Sequence, residues 1–116
     1  MSSLNFEQGD IVVAPIPFSN LVQAKIRPVL VISGEKFNSS SEDLIVLKIT
    51  SKEKNYPFDV LLKAVDLSKG KLTQESTIMA DFPIVIEKIS AQQIIGKITP
   101  NKLNEVKQKL IELYEL

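Results

Sequence analysis

The run Arg27–Pro28–Val29–Leu30–Val31–Ile32–Ser33 decides how this chain folds. Its four consecutive apolar residues, three of them β-branched, predict a strand buried on both faces, opened by an arginine. Upstream, Gly9–Asp10 is a turn signal before a short apolar strand at 11–14. Downstream, a third strand at 44–50 ends in Thr50–Ser51. A cation at the mouth of one buried strand and a hydroxyl at the end of another suit an anion or phosphate site.

Around these three strands the rest of the chain falls into short pieces. Pro15 and Pro17 are expected to stop the first strand, since neither has an N–H to donate. Residues 19–26 read as a mobile connection, and 34–43, with serines at 39–41, as a surface loop. A polar turn at 52–57 precedes a strand at 58–62, and a connection at 64–71 is punctuated by Gly70. The segment 72–80 contains a β-rich run at 76–79 that ends at Asp81 before Pro83, with a brief extension at 84–86. One helical turn is expected at 90–94 and a last strand at 96–98. The period then changes. Leu103, Val106, Leu110 and Leu113 recur at three- and four-residue spacing, with Thr99 as N-cap and Pro100 at the first helical position. Five or more short strands followed by one amphipathic helix predict a mainly β fold, a small antiparallel barrel, as a single domain over residues 1–116.

Composition narrows the chemistry. The 116 residues are enough for one core without metals or disulfides. The absence of cysteine removes thiolate nucleophiles and disulfides, and the absence of histidine removes the usual proton carrier near neutral pH. Acid–base work must then fall to carboxylates, Arg, Lys, Tyr or hydroxyls. Fourteen basic residues balance fourteen acidic ones, so a nucleic-acid partner would need a local basic patch. Residues 1–7 carry neither the basic nor the apolar part of a secretory signal, and no apolar run approaches the ~20 residues of a membrane span. A soluble cytoplasmic protein is expected.

Five blocks, in order, resemble the MazF/PemK family of toxins. Gly9–Asp10–Ile11–Val12 is similar to the family's opening G-D-[IV]-[VW], and Arg27 to Ile32 to its R-P-[AV]-[LV]-[VI]-[LIV] strand. Ile49–Thr50–Ser51 resembles an I-T-S/T strand end, and Ser76–Thr77–Ile78–Met79–Ala80–Asp81 an S-x-[VI]-x-x-D segment. Ile95–Gly96–Lys97–Ile98 before the helix resembles the family's I-G-[KR]-[LI] close. The resemblance implies an SH3-like barrel and a toxin of a type II toxin–antitoxin system. It also implies a sequence-specific endoribonuclease that cleaves single-stranded RNA (mRNA) without a metal or other cofactor, leaving 2′,3′-cyclic phosphate and 5′-OH ends. A cognate antitoxin and a homodimer are the implied partners, with no membrane. Such chemistry fits the composition, because RNA carries its own nucleophile, the 2′-OH.

Arg27 matches the family's catalytic arginine, and a guanidinium can hold two phosphate oxygens. The plainer alternative is an arginine that caps a strand or pairs with Asp10 or Glu35. Thr50 matches the strand-end hydroxyl thought to bind the scissile phosphate, although threonine in a strand is ordinary. Asp81 falls where some members carry a proposed general base, and a turn aspartate is the alternative. Lys25, Gln23, Ser51 and Ser76 are the expected RNA contacts, with Ser51 on the face opposite Thr50 if the strand continues. Phe18 and Phe37 could stack bases, though packing is the simpler role. Leu21, Val22 and Ile26 suit a covered surface or a local cluster. Where some members carry arginines, this chain has Met79 and Ile84, which removes positive charge. Those departures and the zero net charge favour the rival reading, a non-catalytic binding module or a topoisomerase-inhibiting toxin on the same fold.

Overall fold

Seven strands form one antiparallel sheet in the computed structural model, which describes residues 5–17, 24–52 and 56–116. They are β1 (Asp10–Pro17), β2 (Ala24–Val31), β3 (Asp43–Thr50), β4 (Asp59–Leu62), β5 (Leu67–Gly70), β6 (Ser76–Glu87) and β7 (Gln93–Ile98). Their order is β4-β6-β3-β2-β1-β7-β5. Helix α1 (Glu35–Ser40) joins β2 to β3, and helix α2 (Pro100–Tyr114) closes the chain. Short 3₁₀ turns occupy Ala64–Asp66 and Lys88–Ser90.

The apolar alternation of the strands builds a core on each face. One cluster joins Val12, Ala14 and Ile16 to Val29, Val31, Leu44 and Val46. The other draws on all seven strands, through Ile11, Leu30, Leu47, Val60, Leu67, Ile78 and Ile98, and is covered by Val106, Leu103 and Leu110 of α2. A sheet whose every strand feeds one cluster must curl around it. The curl stops short of closure: β4 and β5 are its edges and do not pair with one another. Val29, Leu30 and Val31 are all fully buried, as the unbroken apolar run requires.

Besides β2 starting at Ala24, inside the expected connection 19–26, and β5 lying inside the expected connection 64–71, four expectations need correcting, each for a local reason. Pro15 and Pro17 do not end β1 but pair with Ile26 and Ala24. The carbonyl of Val13 accepts from Gln92 N–H at 2.8 Å, on the β7 side of the strand. Residues two and four further on present their backbone to that same side, where β7 pairing has already stopped at Val13. Their missing N–H groups therefore cost nothing. Pro83 likewise lies within one long β6, past the stretch that β4 pairs, residues 76–79. Residues 90–94 form no helical turn of their own; a 3₁₀ turn ends at Ser90 and β7 begins at Gln93.

The fourth correction is the segment 34–43, which holds α1 where a surface loop was expected. Its Asn38 is buried, accepts from Ser33 Oγ at 2.5 Å and donates to Ser33 O at 2.9 Å. Ser33 Oγ in turn accepts from Ile45 N–H at 3.0 Å. Removing the amide strands buried partners, so Asn38→Ala is expected to lose about 1–3 kcal/mol of stability, read by urea denaturation. Stability unchanged within ~0.5 kcal/mol would show that this network is dispensable.

Two sequence blocks meet across β1 and β7. Asp10 pairs with Lys97 and Ile11 with Gly96. Lys97 binds the Glu7 carboxylate and lies 3.7 Å from Asp10 Oδ1. That hydrogen bond lowers the Glu7 pKa and raises that of Lys97. Asp10 Oδ2 also accepts from Glu7 N–H at 2.8 Å. Opposite, Gly70 has φ +83°, and a Cβ there would fall 2.3 Å from Ile95 O. Only glycine lets β5 approach β7 so closely. α2 begins as read: Thr99 Oγ1 accepts from Lys102 N–H at 3.2 Å, with Pro100 next.

Candidate functional site

A groove of about 970 Å³ crosses the face that carries Arg27. Register explains its floor. Ala14 pairs with Arg27 and Val12 with Val29, so Arg27 continues, along β2, the row that Val29 and Val31 give to the first core cluster. Val29 pairs with Lys48, and Thr50 follows two residues later on the same face. Arg27 is exposed and Thr50 half-buried, and both line the groove with Lys48, Ser51, Lys52 and Lys71. Arg27 thus lies within β2, which starts at Ala24, and not at a strand's mouth.

The electrostatics are one-sided. Arg27, Lys48, Lys52 and Lys71 line the groove and, among the described residues, no carboxylate does. Asp10, one suggested partner for Arg27, is engaged by Lys97 and the Glu7 amide. Thr50 Oγ1 accepts from Lys52 N–H at 3.2 Å, which leaves its own hydroxyl proton to be donated outward.

The other expected site residues are spread unevenly. Ser51 is exposed and lines the groove beside Thr50, because β3 stops at Thr50 and strict alternation ends there. Ser76 also borders the groove, but is buried and donates to Gln74 O at 3.3 Å. Lys25 is exposed on the Arg27 face, one side-chain step further along β2, and is not among the groove-lining residues. Asp81 is exposed and also stands outside the lining. The β3–β6 ladder explains this: Lys48 pairs with Met79 but Leu47 with Pro83, so residues 80–82 have no partner on β3, and within that bulge Ala80 stays buried while Asp81 and Phe82 turn outward. The bulge brings Phe82 to the groove and leaves Asp81 in solvent. Gln23, Phe18, Leu21 and Val22 lie outside the described residues. Phe37 sits on α1, away from the groove, so among the described residues the aromatic that reaches it is Phe82.

Lys48, Lys52, Lys71 and Phe82 are among the groove residues that sequence reasoning passed over. Lys48 had a signal, its two-residue spacing from Thr50. Met79 and Ile84 do line the groove as apolar residues, yet the facing Lys48 restores a cation directly opposite Met79. No three potential metal ligands cluster among the described residues, and none of the described helices is long and apolar enough to cross a membrane.

A family model described as a PemK-like, MazF-like toxin of type II toxin–antitoxin systems matches residues 7–114. No curated protein matches the chain. Among solved structures, a MazE–MazF complex from Deinococcus radiodurans is 25% identical with a TM-score of 0.78, covering 98% of this chain and 99% of that one. An endoribonuclease in complex with its cognate antitoxin, from a mycobacterial species, is 18% identical with a TM-score of 0.77 and 95% of each chain covered. At that identity the second likeness speaks for the fold.

Proposed function

The chain belongs to the PemK-like, MazF-like toxins of type II toxin–antitoxin systems, and from that premise we propose that it is a sequence-specific endoribonuclease acting on single-stranded RNA, mRNA above all. The observation that carries the reading is the groove: four cations and no carboxylate, among the described residues, on a chain of zero net charge. An RNA backbone needs such a local patch and does not need a basic protein. The chemistry follows from the residues there. The 2′-oxygen attacks phosphorus as its proton passes to solvent water, the P–O5′ bond breaks, and O5′ takes up a proton from solvent. The products are a 2′,3′-cyclic phosphate and a 5′-OH. Arg27 would hold two non-bridging oxygens as charge builds on the phosphorane, and Thr50 would donate its hydroxyl proton to a phosphate oxygen. Asp81, outside the groove lining, receives no step in this scheme.

Solved relatives captured with antitoxins support a cognate antitoxin here, laid over Arg27 and its neighbours to occupy the phosphate positions. A two-fold homodimer is also proposed. Sedimentation should then report about 26 kDa, twice the chain mass, and a persistent monomer at micromolar protein would contradict it.

The activity is tested by incubating purified protein with mixed-sequence single-stranded RNA in excess EDTA. Cleavage at a short recurrent sequence is expected, with no metal required. Intact RNA under all conditions would favour the non-catalytic module or the topoisomerase-inhibiting toxin instead.

A further inference from the structure

We propose that Phe82, with Lys48 against its ring, is a nucleobase-stacking subsite that helps set the base preferred beside the phosphate held at Arg27 and Thr50. The inference rests on the RNA-cleaving reading above. Three independent observations converge on it. Phe82 keeps 43% of its surface exposed although it belongs to a strand. Lys48 Nζ lies 4.7 Å from the ring centroid, and both side chains line the groove that holds Arg27 and Thr50. The bulge that delivers the ring sets residues 80–82 against one step of β3, with Ala80 buried and Asp81 and Phe82 turned to the surface.

Each part has a physical role. A cation near an aromatic face is attracted by the ring quadrupole, which restrains the ring's rotamer before ligand arrives. A restrained, solvent-facing ring is a platform on which any base can stack, and the lysine can neutralise the adjoining phosphate. Met79 and Ile84 pair with Lys48 and Val46, so apolar side walls flank the platform. Apolar walls admit the edge of a base and exclude water from it.

The test uses a labelled RNA oligonucleotide spanning a cleavage site mapped with the wild-type protein. The attacking ribose is 2′-deoxy, so the probe survives. Phe82→Ala and Phe82→Leu should each weaken binding roughly five- to 150-fold, the loss expected of one stacked base, while Phe82→Trp should retain it. A walk of single abasic positions should find one whose loss weakens the wild type but leaves Phe82→Ala unaffected. Lys48→Met should lower the salt slope of log Kd by about one, and Phe82→Ala should leave that slope unchanged. Circular dichroism checks that each variant is folded. Folded Phe82→Ala and Phe82→Leu variants binding within twofold of wild type would overturn the subsite while the nuclease reading stands. The same result with a change in oligomer mass would assign Phe82 to a protein interface and equally overturn it. A wild-type protein that neither cleaves nor binds RNA would overturn the nuclease reading itself.

Discussion

Arg27→Ala is expected to cut RNA cleavage by about 10²–10³-fold, the loss seen when one charge-stabilising donor is removed from a transition state. The protein should remain folded, because the Arg27 side chain is exposed and lies beyond the buried residues of its strand. The effect should fall on kcat more than on KM, since the groove keeps Lys48, Lys52 and Lys71 for ground-state binding. Arg27→Lys should recover only part of the rate, as an ammonium cannot present the planar fork that grips two oxygens. Single-turnover cleavage of a labelled oligonucleotide measures this directly. Full activity in folded Arg27→Ala would remove Arg27 from the chemistry.

The largest stability effect should come from Leu30→Ala, with a loss of about 2–5 kcal/mol in urea denaturation. Leu30 is fully buried and pairs with Ile11 on one side and Leu47 on the other. All three belong to the cluster that every strand and α2 share, so the cavity would open at the centre of the curl. A loss below ~1 kcal/mol would show that the sheet collapses easily around the gap, and that this cluster does not hold it curved.

The fold was legible wherever one local rule governed. The unbroken run at 29–31 could only be a strand covered on both faces, and α2 announced itself by period, cap and Pro100. Sequence failed where the outcome depended on a neighbour. Whether Pro15 interrupts β1 turns on where β7 stops, which residues 93–98 settle eighty positions later. Whether 34–43 is a loop turns on Asn38 finding Ser33 and Phe6 to bond with.

The candidate site divides in the same way. Arg27 and Thr50 stood in blocks that carry a family resemblance, and strand register places both on one groove. Lys48 was reachable by alternation from Thr50. Phe82 was not, because a bulge inverts the alternation that would have predicted its direction. Asp81 met the reverse fate: its sequence position suited a base, and the same bulge leaves it in solvent.

The central claim is that this groove cleaves RNA with the substrate's own 2′-hydroxyl. It is tested most directly by a matched set of labelled oligonucleotides, incubated in excess EDTA, each with a single 2′-deoxy ribose along a mapped site. The account predicts that only one member of the set stays intact, the one deoxy at the ribose 5′ to the scissile phosphate. Every other member should yield a 2′,3′-cyclic phosphate on its upstream product. Cleavage of that protected member at the same bond, or a requirement for a divalent ion, would contradict it.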